Sequence, residues 1–392
     1  MSNIEEFRAE TRAWLSENCP PGARGPGEIS WGSTKLPVKD PDTRLWLERS
    51  AEKGWTVPTW PVEYGGAGLE RDEYGVLMEE LRRIDARTPL TGRGVNYIGP
   101  TILEYGNDDQ KARWLPRIAR GEGGWCMGYS EPGAGSDLAS LSMRAVDQGD
   151  HFLINGMKIW TSDAMWGDWI FCLVRTDPDA PKHEGISFLL VDMDQPGVRV
   201  RPIRLISGNS PFCETFFEDA IAKKEDLLGE LNHGWTVGKR LLQFERSTHG
   251  GVNTSGTQRS EDAPRLADIV RGYVGEVNGH IAQREMRVRV TRFEMDSHAY
   301  RLTQRRAMEE ARARAPGSAS SIFKMCGANL TQERADIHRE VMGFDGLGWE
   351  GAPFSDEQTQ VTRTWLSSRA TTIYGGTNEI QRNILAKAVL EL

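Results

Sequence analysis

Hydrophobic and polar positions follow three successive patterns along the chain, and each pattern predicts a different kind of element. In the N-terminal part, apolar residues such as Leu77, Leu81 and Ile84 recur at helical intervals. The middle part contains short β-rich runs, for example at 151–160, separated by Gly, Asp and Pro. Long helical patterns then return. The order predicts an α+β chain. The three expected domains are helical 1–124, β-rich 125–232 and helical 233–392.

Composition narrows the class of protein. Charged residues make up 27% and hydrophobic residues 38%, as in an ordinary folded globular protein. The apolar runs are too short to span a bilayer, and the N-terminus lacks a secretion signal, so we expect no membrane span and a cytoplasmic location. Five scattered cysteines without a C-x-x-C pair predict neither a disulfide framework nor a metal site.

Charge patterning bears on binding partners. The net charge of −8 disfavours general binding to nucleic acid. The stretch 281–314 carries nine arginines interleaved with glutamates, and a solvated, salt-bridged helix face explains it better than a basic binding patch.

The stretch 125–139, W-C-M-G-Y-S-E-P-G-A-G-S-D-L-A, is the first candidate for chemistry. Its glycines let the backbone bend closely around a ligand, and Ser130 and Ser136 supply hydroxyl donors. Composition alone equally allows a polar turn at a helix-to-strand junction. On composition alone, both a ligand-binding segment and a polar turn remain open.

Four collinear segments resemble the acyl-CoA dehydrogenases. They are Y-G-N-D-D-Q-K-A-R-W-L-P-R-I-A-R-G-E at 105–122, S-E-P-G-A-G-S-D at 130–137, K-I-W-T-S-D at 158–163, and Y-G-G-T-N-E-I-Q-R at 374–382. The similarity runs from Gly54 to the last residues. It implies an N-terminal helical domain, a middle β-barrel-like domain and a C-terminal four-helix bundle, with FAD as cofactor.

The resemblance also implies roles for individual residues. The flavin pyrimidine edge would meet the backbone and hydroxyl groups of Met127, Gly128, Tyr129 and Ser130. The isoalloxazine would pack on Trp160 and contact Thr161, with Ser162 donating toward the flavin N5 region. Ser136 would touch the CoA portion of the substrate. The FAD diphosphate and adenosine would lie near Thr377 and Glu379.

Two segments depart from the family pattern. The family usually has an arginine before Q-F-G on a C-terminal helix, whereas this chain has Arg287 followed by V-R-V-T. Arg287 is the candidate for a diphosphate contact across a subunit interface. The adenine-side Q-x-x-G-G-x-G is altered to E-V-M-G-F-D-G from Glu340.

The usual catalytic glutamate of Y-E-G-T is replaced here by Gly375. Its N–H could still help to hold the thioester oxygen, but it has no carboxylate. In the long-chain and isovaleryl branches the base lies on an earlier helix, just before an arginine. Glu245 matches that position, and Arg246 follows it as a substrate contact.

Helical spacing puts Glu245 on the face of Leu241 and Leu242, where desolvation favours a more basic carboxylate. A Glu-Arg pair without catalytic role is the alternative.

The resemblance therefore implies α,β-dehydrogenation of an acyl-CoA to a trans-2-enoyl-CoA, with Glu245 as base. An electron-transfer flavoprotein is the expected electron acceptor, and a homo-oligomer, dimer or tetramer, is the expected assembly. Two alternatives remain. One is a subunit of a hetero-oligomeric dehydrogenase for bulky CoA esters, such as those of steroid side chains. The other is a flavin monooxygenase or oxidase on the same fold.

Overall fold

The computed structural model describes residues 2–249, 264–312 and 319–392. In these ranges the α-helices are α1 (Ser2–Asn18), α2 (Pro41–Glu52), α3 (Arg71–Arg83), α4 (Gly99–Tyr105), α5 (Asp108–Ala119), α6 (Gly234–His249), α7 (Leu266–Val274), α8 (Arg284–Arg312), α9 (Ala319–Val341), α10 (Asp356–Ser368) and α11 (Asn378–Ala388). The strands are β1 (Trp125–Gly128), β2 (Arg144–Asp147), β3 (His151–Ser162), β4 (Trp169–Arg175), β5 (Ile186–Asp192), β6 (Val198–Ile203), β7 (Phe212–Lys223), β8 (Glu276–Val277) and β9 (His280–Ile281). The predicted order of helices, strands and helices is confirmed.

Helix starts follow from local sequence. Asn107 caps α5 by accepting the Gln110 N–H at 2.8 Å, and the Gln110 side chain accepts the Asn107 N–H at 3.1 Å. Ser355 caps α10 in the same reciprocal way. These bonds satisfy N–H groups that a helix leaves unpaired in its first turn.

The middle part forms one curled seven-stranded sheet in the order β1-β4-β2-β3-β7-β6, with β5 paired to β4. Strands β1 and β4 run parallel, and the long strands β3 and β7 run antiparallel. Between Lys158 and Thr161 the register of β3 against β7 shifts, and the strand is irregular at that point. The predicted middle β domain is thus a strongly bent sheet.

By internal contacts the chain forms two compact units. The first comprises Met1–Ile203 and Pro211–Glu245, and the second comprises Arg204–Ser210 and Arg246–Leu392. The division at 124 and 125 between helical and β-rich domains stays a prediction.

The first unit has a core shared by N-terminal helices and the sheet. It includes Ile102 and Trp114 from helices, Trp125 and Phe171 from strands, and Leu241 from α6. Burying one such side chain fully contributes about 1.5–3 kcal/mol relative to leaving it exposed. Helix α6 is therefore fixed against the sheet by its apolar face.

The second unit has its own core. It consists of buried side chains of α7, α8 and α9 and of strand β9: Leu266, Val270, Ile281, Met286, Val290, Phe293 and Ile337. On α8, Arg289 pairs with Glu333 at 2.6 Å, and part of the predicted salt-bridged face is therefore present. Among the helices of the described ranges, none combines the length and apolar character needed to cross a bilayer.

Candidate active site

The two segments expected to meet the flavin ring lie side by side. The Ile159 N–H donates to the Ser130 carbonyl at 2.9 Å. Next to it, the Lys158 ammonium donates to the Tyr129 carbonyl at 3.1 Å. These bonds tie the segment after β1 to β3, so residues 127–130 and 160–162 are neighbours in the first unit.

An irregularity in β3 turns one aromatic ring outward. Trp160 has a φ of 61°, in the left-handed region, and its side chain is 52% exposed. The edge of its ring contacts Phe212, with centroids 6.2 Å apart. Thr161 points inward with 0% exposure, and its Oγ1 has no hydrogen-bond partner in the described chain. Ser162 is half-buried.

A buried ion pair supports this surface, and sequence reasoning did not identify it. The Lys158 ammonium lies 2.7 Å from Glu131 Oε1, and the two side chains are 0% and 6% exposed. Glu131 also accepts the N–H groups of Ser142 at 2.7 Å and Met143 at 3.0 Å. Burial alone would raise the pKa of Glu131, but the Lys158 ammonium and these donors hold it below its usual value.

Helix α6 carries Glu245 on the face that packs onto the sheet. The Tyr129 hydroxyl donates to the Gly238 carbonyl at 3.3 Å. Glu245 lies seven residues later, two helical turns along the same face, with the fully buried Leu241 between them. Glu245 itself is half-buried.

Two buried phenols lie near the Glu245 carboxylate. Burial raises the pKa of Tyr97, and the negative charge of Glu245 raises it further, while the Arg93 guanidinium opposes the shift. Burial also raises the pKa of Tyr129, again with Glu245 contributing. Both phenols are therefore neutral beside the Glu245 carboxylate. Tyr97 comes from a π-helical turn, Gly94–Ile98, that gave no signal in the sequence.

The two proposed substrate contacts are Ser136 in the first unit and Arg246 at the start of the main segment of the second. Ser136 is exposed in the loop after Glu131. The Arg246 side chain lies outside the described part of the chain, as do those of Thr248 and His249. Beside Ser162, Asp163 Oδ2 accepts a bond from Arg93 Nη1 at 3.1 Å, a pair that the sequence did not reveal.

In the second unit, the start of α11 brings three candidates together. Gly375 and Gly376 have φ values of 63° and 86°, and only glycine adopts such a consecutive pair easily. Thr377 caps the helix, since its hydroxyl accepts the Ile380 N–H at 3.2 Å. Glu379 is exposed in the first turn, and its pKa is lowered by backbone N–H donation and by the Thr377 hydroxyl.

Arg287 lies in the second turn of α8. Its side chain is half-buried and makes no ion pair with a residue in the described ranges. A cavity of about 1060 Å³ lies between α8 and α9, lined among others by Arg284, Glu285 and Asn329 but not by Arg287. Asn329 also accepts a bond from Asn378 at 3.0 Å, at the start of α11.

Among the residues that the structure describes, no group of three or more His, Cys, Asp or Glu side chains is arranged to hold a metal ion.

Three family models cover almost the whole chain. The models of the acyl-CoA dehydrogenase N-terminal, middle and C-terminal domains match residues 2–122, 126–220 and 232–390. The chain belongs to the acyl-CoA dehydrogenase family. Members of this family are FAD-dependent flavoproteins, so the chain is an FAD-dependent oxidoreductase that acts on acyl-CoA.

Individual relatives agree with this membership. Acyl-CoA dehydrogenase IpdE1 of Mycobacterium tuberculosis is 37% identical, over 100% of this chain and 98% of the relative. Acyl-CoA dehydrogenase FadE34 of the same organism is 36% identical, over 87% of this chain and 45% of its own length.

Solved structures of the family have the same fold. The Tcur3481-Tcur3483 steroid ACAD superposes with a TM-score of 0.74 and is 29% identical, covering 100% of this chain and 98% of that one. The ChsE4-ChsE5 complex from Mycobacterium tuberculosis gives a TM-score of 0.71 at 28% identity, with the same coverage. The acyl-CoA dehydrogenase fold expected from the sequence is confirmed.

The groups present in the structure fit FAD. The outward face of Trp160 suits a planar heteroaromatic ring, and the hydroxyls of Ser130 and Ser162 are donors for its polar edge. At the start of α11, the helix N-terminus and the two glycines before it suit a diphosphate.

Proposed function

We propose that the chain catalyses α,β-dehydrogenation of an acyl-CoA thioester to a trans-2-enoyl-CoA, with Glu245 as the base that removes the α proton. The observation that carries this proposal is the position of Glu245 on the sheet-facing side of α6, close to the buried Tyr97 and Tyr129. Bound FAD supplies the hydride acceptor at its N5 atom.

Glu245 has the surroundings that a base for a weakly acidic proton needs. The buried phenols and Leu241 near Glu245 limit the access of water to this part of α6, which favours proton transfer to the carboxylate. The backbone N–H of Gly375 is proposed as a donor to the thioester oxygen, whose negative charge grows as the α proton leaves.

Binding roles follow the same assignment. We propose that Met127, Gly128, Tyr129, Ser130, Trp160, Thr161 and Ser162 contact the flavin ring. Because the Thr161 side chain is buried, its contribution would come from the backbone. Arg287, Thr377 and Glu379 are proposed to contact the diphosphate and adenosine, and Ser136 and Arg246 the substrate.

The base assignment is tested with Glu245→Gln, which keeps the shape of the side chain and removes its basicity. With FAD bound, the rate of flavin bleaching by acyl-CoA in the absence of oxygen should fall by about 10² to 10⁴-fold. Glu104→Gln is the matched control, because Glu104 is a partly exposed glutamate that pairs with Arg240 at 2.7 Å and interacts with Tyr105. A rate for Glu245→Gln close to that of the control would refute the assignment.

The assembly has two candidate forms, a homo-oligomer or a hetero-oligomer that acts on bulky CoA esters. Helix α8 exposes Val288, Met295 and Leu302 at intervals of seven residues, a stripe typical of a helix that packs on another chain. The similar solved structures include a steroid ACAD and a two-protein complex, which favours the hetero-oligomer and a steroid-derived acyl group.

Gel filtration with flavin quantification separates the two forms. One FAD per chain in an oligomer of this chain alone supports a self-sufficient enzyme. A flavin-poor preparation that gains FAD only with a second family member supports the hetero-oligomer.

The rate of reoxidation separates a dehydrogenase from an oxidase. A dehydrogenase that has been reduced by substrate should be reoxidised slowly in air and rapidly by an electron-transfer flavoprotein.

A further inference from the structure

A cavity of about 340 Å³ opens beside the proposed catalytic groups in the first unit. It is lined by Trp31, Thr91, Arg93, Asn96, Tyr97 and Asp163. Its volume lies at the lower end of the range for small-molecule pockets. Two of its lining residues relate it to the proposed site: the Tyr97 phenol feels the charge of Glu245, and Asp163 directly follows Ser162.

Polar and apolar groups contribute about equally to the lining of this cavity. Arg93, Asn96, Asp163, Thr91 and the tyrosine hydroxyl all bring hydrogen-bonding groups, and Trp31 brings an aromatic surface. A saturated hydrocarbon chain placed here would displace water from these groups without replacing its hydrogen bonds. The cavity therefore matches an acyl group that carries oxygen.

The charges of the cavity indicate which kind of oxygen group it accepts. Arg93 Nη1 is bonded to Asp163 Oδ2 at 3.1 Å, so the positive charge is already balanced. A carboxylate would be repelled by Asp163, whereas an uncharged oxygen meets no net charge. The other guanidinium nitrogens of Arg93 donate to no residue in the described part of the chain, so they can donate to a ketone or a hydroxyl.

Other groups in the cavity wall also suit an uncharged oxygen on the acyl group. Arg93 and Tyr97 are four residues apart in one turn of helix, on the same side, and the guanidinium opposes the rise in the pKa of the phenol. A hydroxyl on the acyl group could also donate to the Asp163 carboxylate while it accepts from Arg93. The wall thus offers both a donor and an acceptor to one neutral oxygen.

We propose that Arg93, held by Asp163, is a specificity-determining residue that selects acyl-CoA substrates with a ketone or hydroxyl on the acyl group beyond its β carbon. This inference rests on the proposed dehydrogenation, because it takes the cavity as the place of the acyl group. It assigns Arg93 no part in removing the proton.

The test uses three matched probes: 3-cyclohexylpropanoyl-CoA and its 4-oxo and 4-carboxy derivatives on the ring. Binding is measured by calorimetry to the FAD-loaded Glu245→Gln protein, which should hold the probes without turnover. We expect the 4-oxo probe to bind about 10 to 100-fold more tightly than the unsubstituted probe, and more tightly than the 4-carboxy probe.

Arg93→Met in the same background removes the donors and keeps the length of the side chain. The preference for the 4-oxo probe should fall to about 1, and Arg93→Lys should restore part of it. FAD content and thermal midpoint are measured for each variant to verify folding. Equal affinities for the three probes, no detectable binding of the 4-oxo probe, or an unchanged preference in Arg93→Met would overturn the proposal.

Turnover in the protein with Glu245 intact separates this inference from the proposed function. If selective binding is found but no probe reduces the flavin, the dehydrogenation fails and the binding role of Arg93 stands. If the probes reduce the flavin at rates that do not depend on the ring oxygen, and binding is equally unselective, the dehydrogenation stands and the role of Arg93 fails.

Discussion

Replacing Lys158 with methionine would leave a buried carboxylate without its cation. Glu131 is 6% exposed and would keep only its bonds to Ser142 and Met143. Removing one partner of a buried ion pair typically lowers the free energy of unfolding by about 3–5 kcal/mol, because the remaining charge stays buried. Methionine matches lysine in length, so loss of packing adds little.

The expected shift in thermal midpoint follows from the size of the chain. At about 2.1 cal/mol/K per residue, the 392 residues give an unfolding entropy of about 0.8 kcal/mol/K. A loss of 3–5 kcal/mol then lowers the midpoint by about 4–6 °C, provided the chain unfolds as one unit. The measurement is the thermal midpoint of the FAD-loaded protein, by circular dichroism and by the rise in flavin fluorescence.

The double variant Lys158→Met/Glu131→Gln is the decisive control. It removes the unpaired charge as well, so it should be less destabilised than Lys158→Met alone. Because Lys158 also bonds the Tyr129 carbonyl at 3.1 Å, both variants should release FAD at a lower temperature than the wild type. A double variant that is less stable than Lys158→Met would refute the argument from buried charge.

Three further substitutions test other parts of the fold. Burial raises the pKa of Asp226 from 3.8 to about 6, against the Arg113 guanidinium, so the wild type loses stability as pH rises from about 4 to 6. Asp226→Asn lacks this ionisation, so its thermal midpoint should rise relative to that of the wild type over this range. A constant difference between the two would contradict this. The pKa of Glu80 is held at about 2, against 4.5 ordinarily, by Arg12, Arg83 and Arg8. The ionised Glu80 therefore stabilises the folded protein fully above pH 4.5, and this contribution is lost toward pH 2. Glu80→Gln should lower the thermal midpoint at neutral pH but not near pH 2. The added methyl group in Gly375→Ala would meet no atom within 4 Å, but alanine would have to adopt a φ of 63°, so the variant should be destabilised by about 1–2 kcal/mol. Gly272→Ala, in helix α7, should be slightly stabilised. Equal thermal midpoints for the two variants would contradict the conformational argument.

Periodicity predicted the elements of this chain but not their partners. The helix containing Leu77 and Leu81 and the strand at 151–160 could be predicted, because each follows a local hydrophobic repeat. The proximity of Tyr97 to Glu245 could not, since the two residues are far apart in the sequence and Tyr97 belongs to a short π-helical turn without a periodic signal.

The side-chain partners of the motif residues also could not be predicted from the sequence. Asp163 could be identified as the end of K-I-W-T-S-D, but its partner Arg93 belongs to a segment that no motif includes. Glu131 and Lys158 both lie in quoted motifs, yet sequence spacing says nothing about a bond between side chains on different segments. Such pairs depend on how the elements pack, which the local pattern does not contain.

Tyr129 links the two parts of the proposed site within the first unit. Its carbonyl accepts from Lys158, which joins β1 to the strand of Trp160, and its hydroxyl donates to Gly238 of α6, two turns before Glu245. A Cβ at position 238 would come within 3.0 Å of Leu173 and 3.4 Å of the Tyr129 hydroxyl, so the close approach of α6 to the sheet favours glycine there. The position of the proposed base relative to the flavin surface is therefore set by one buried tyrosine and one glycine, and not by Glu245 alone.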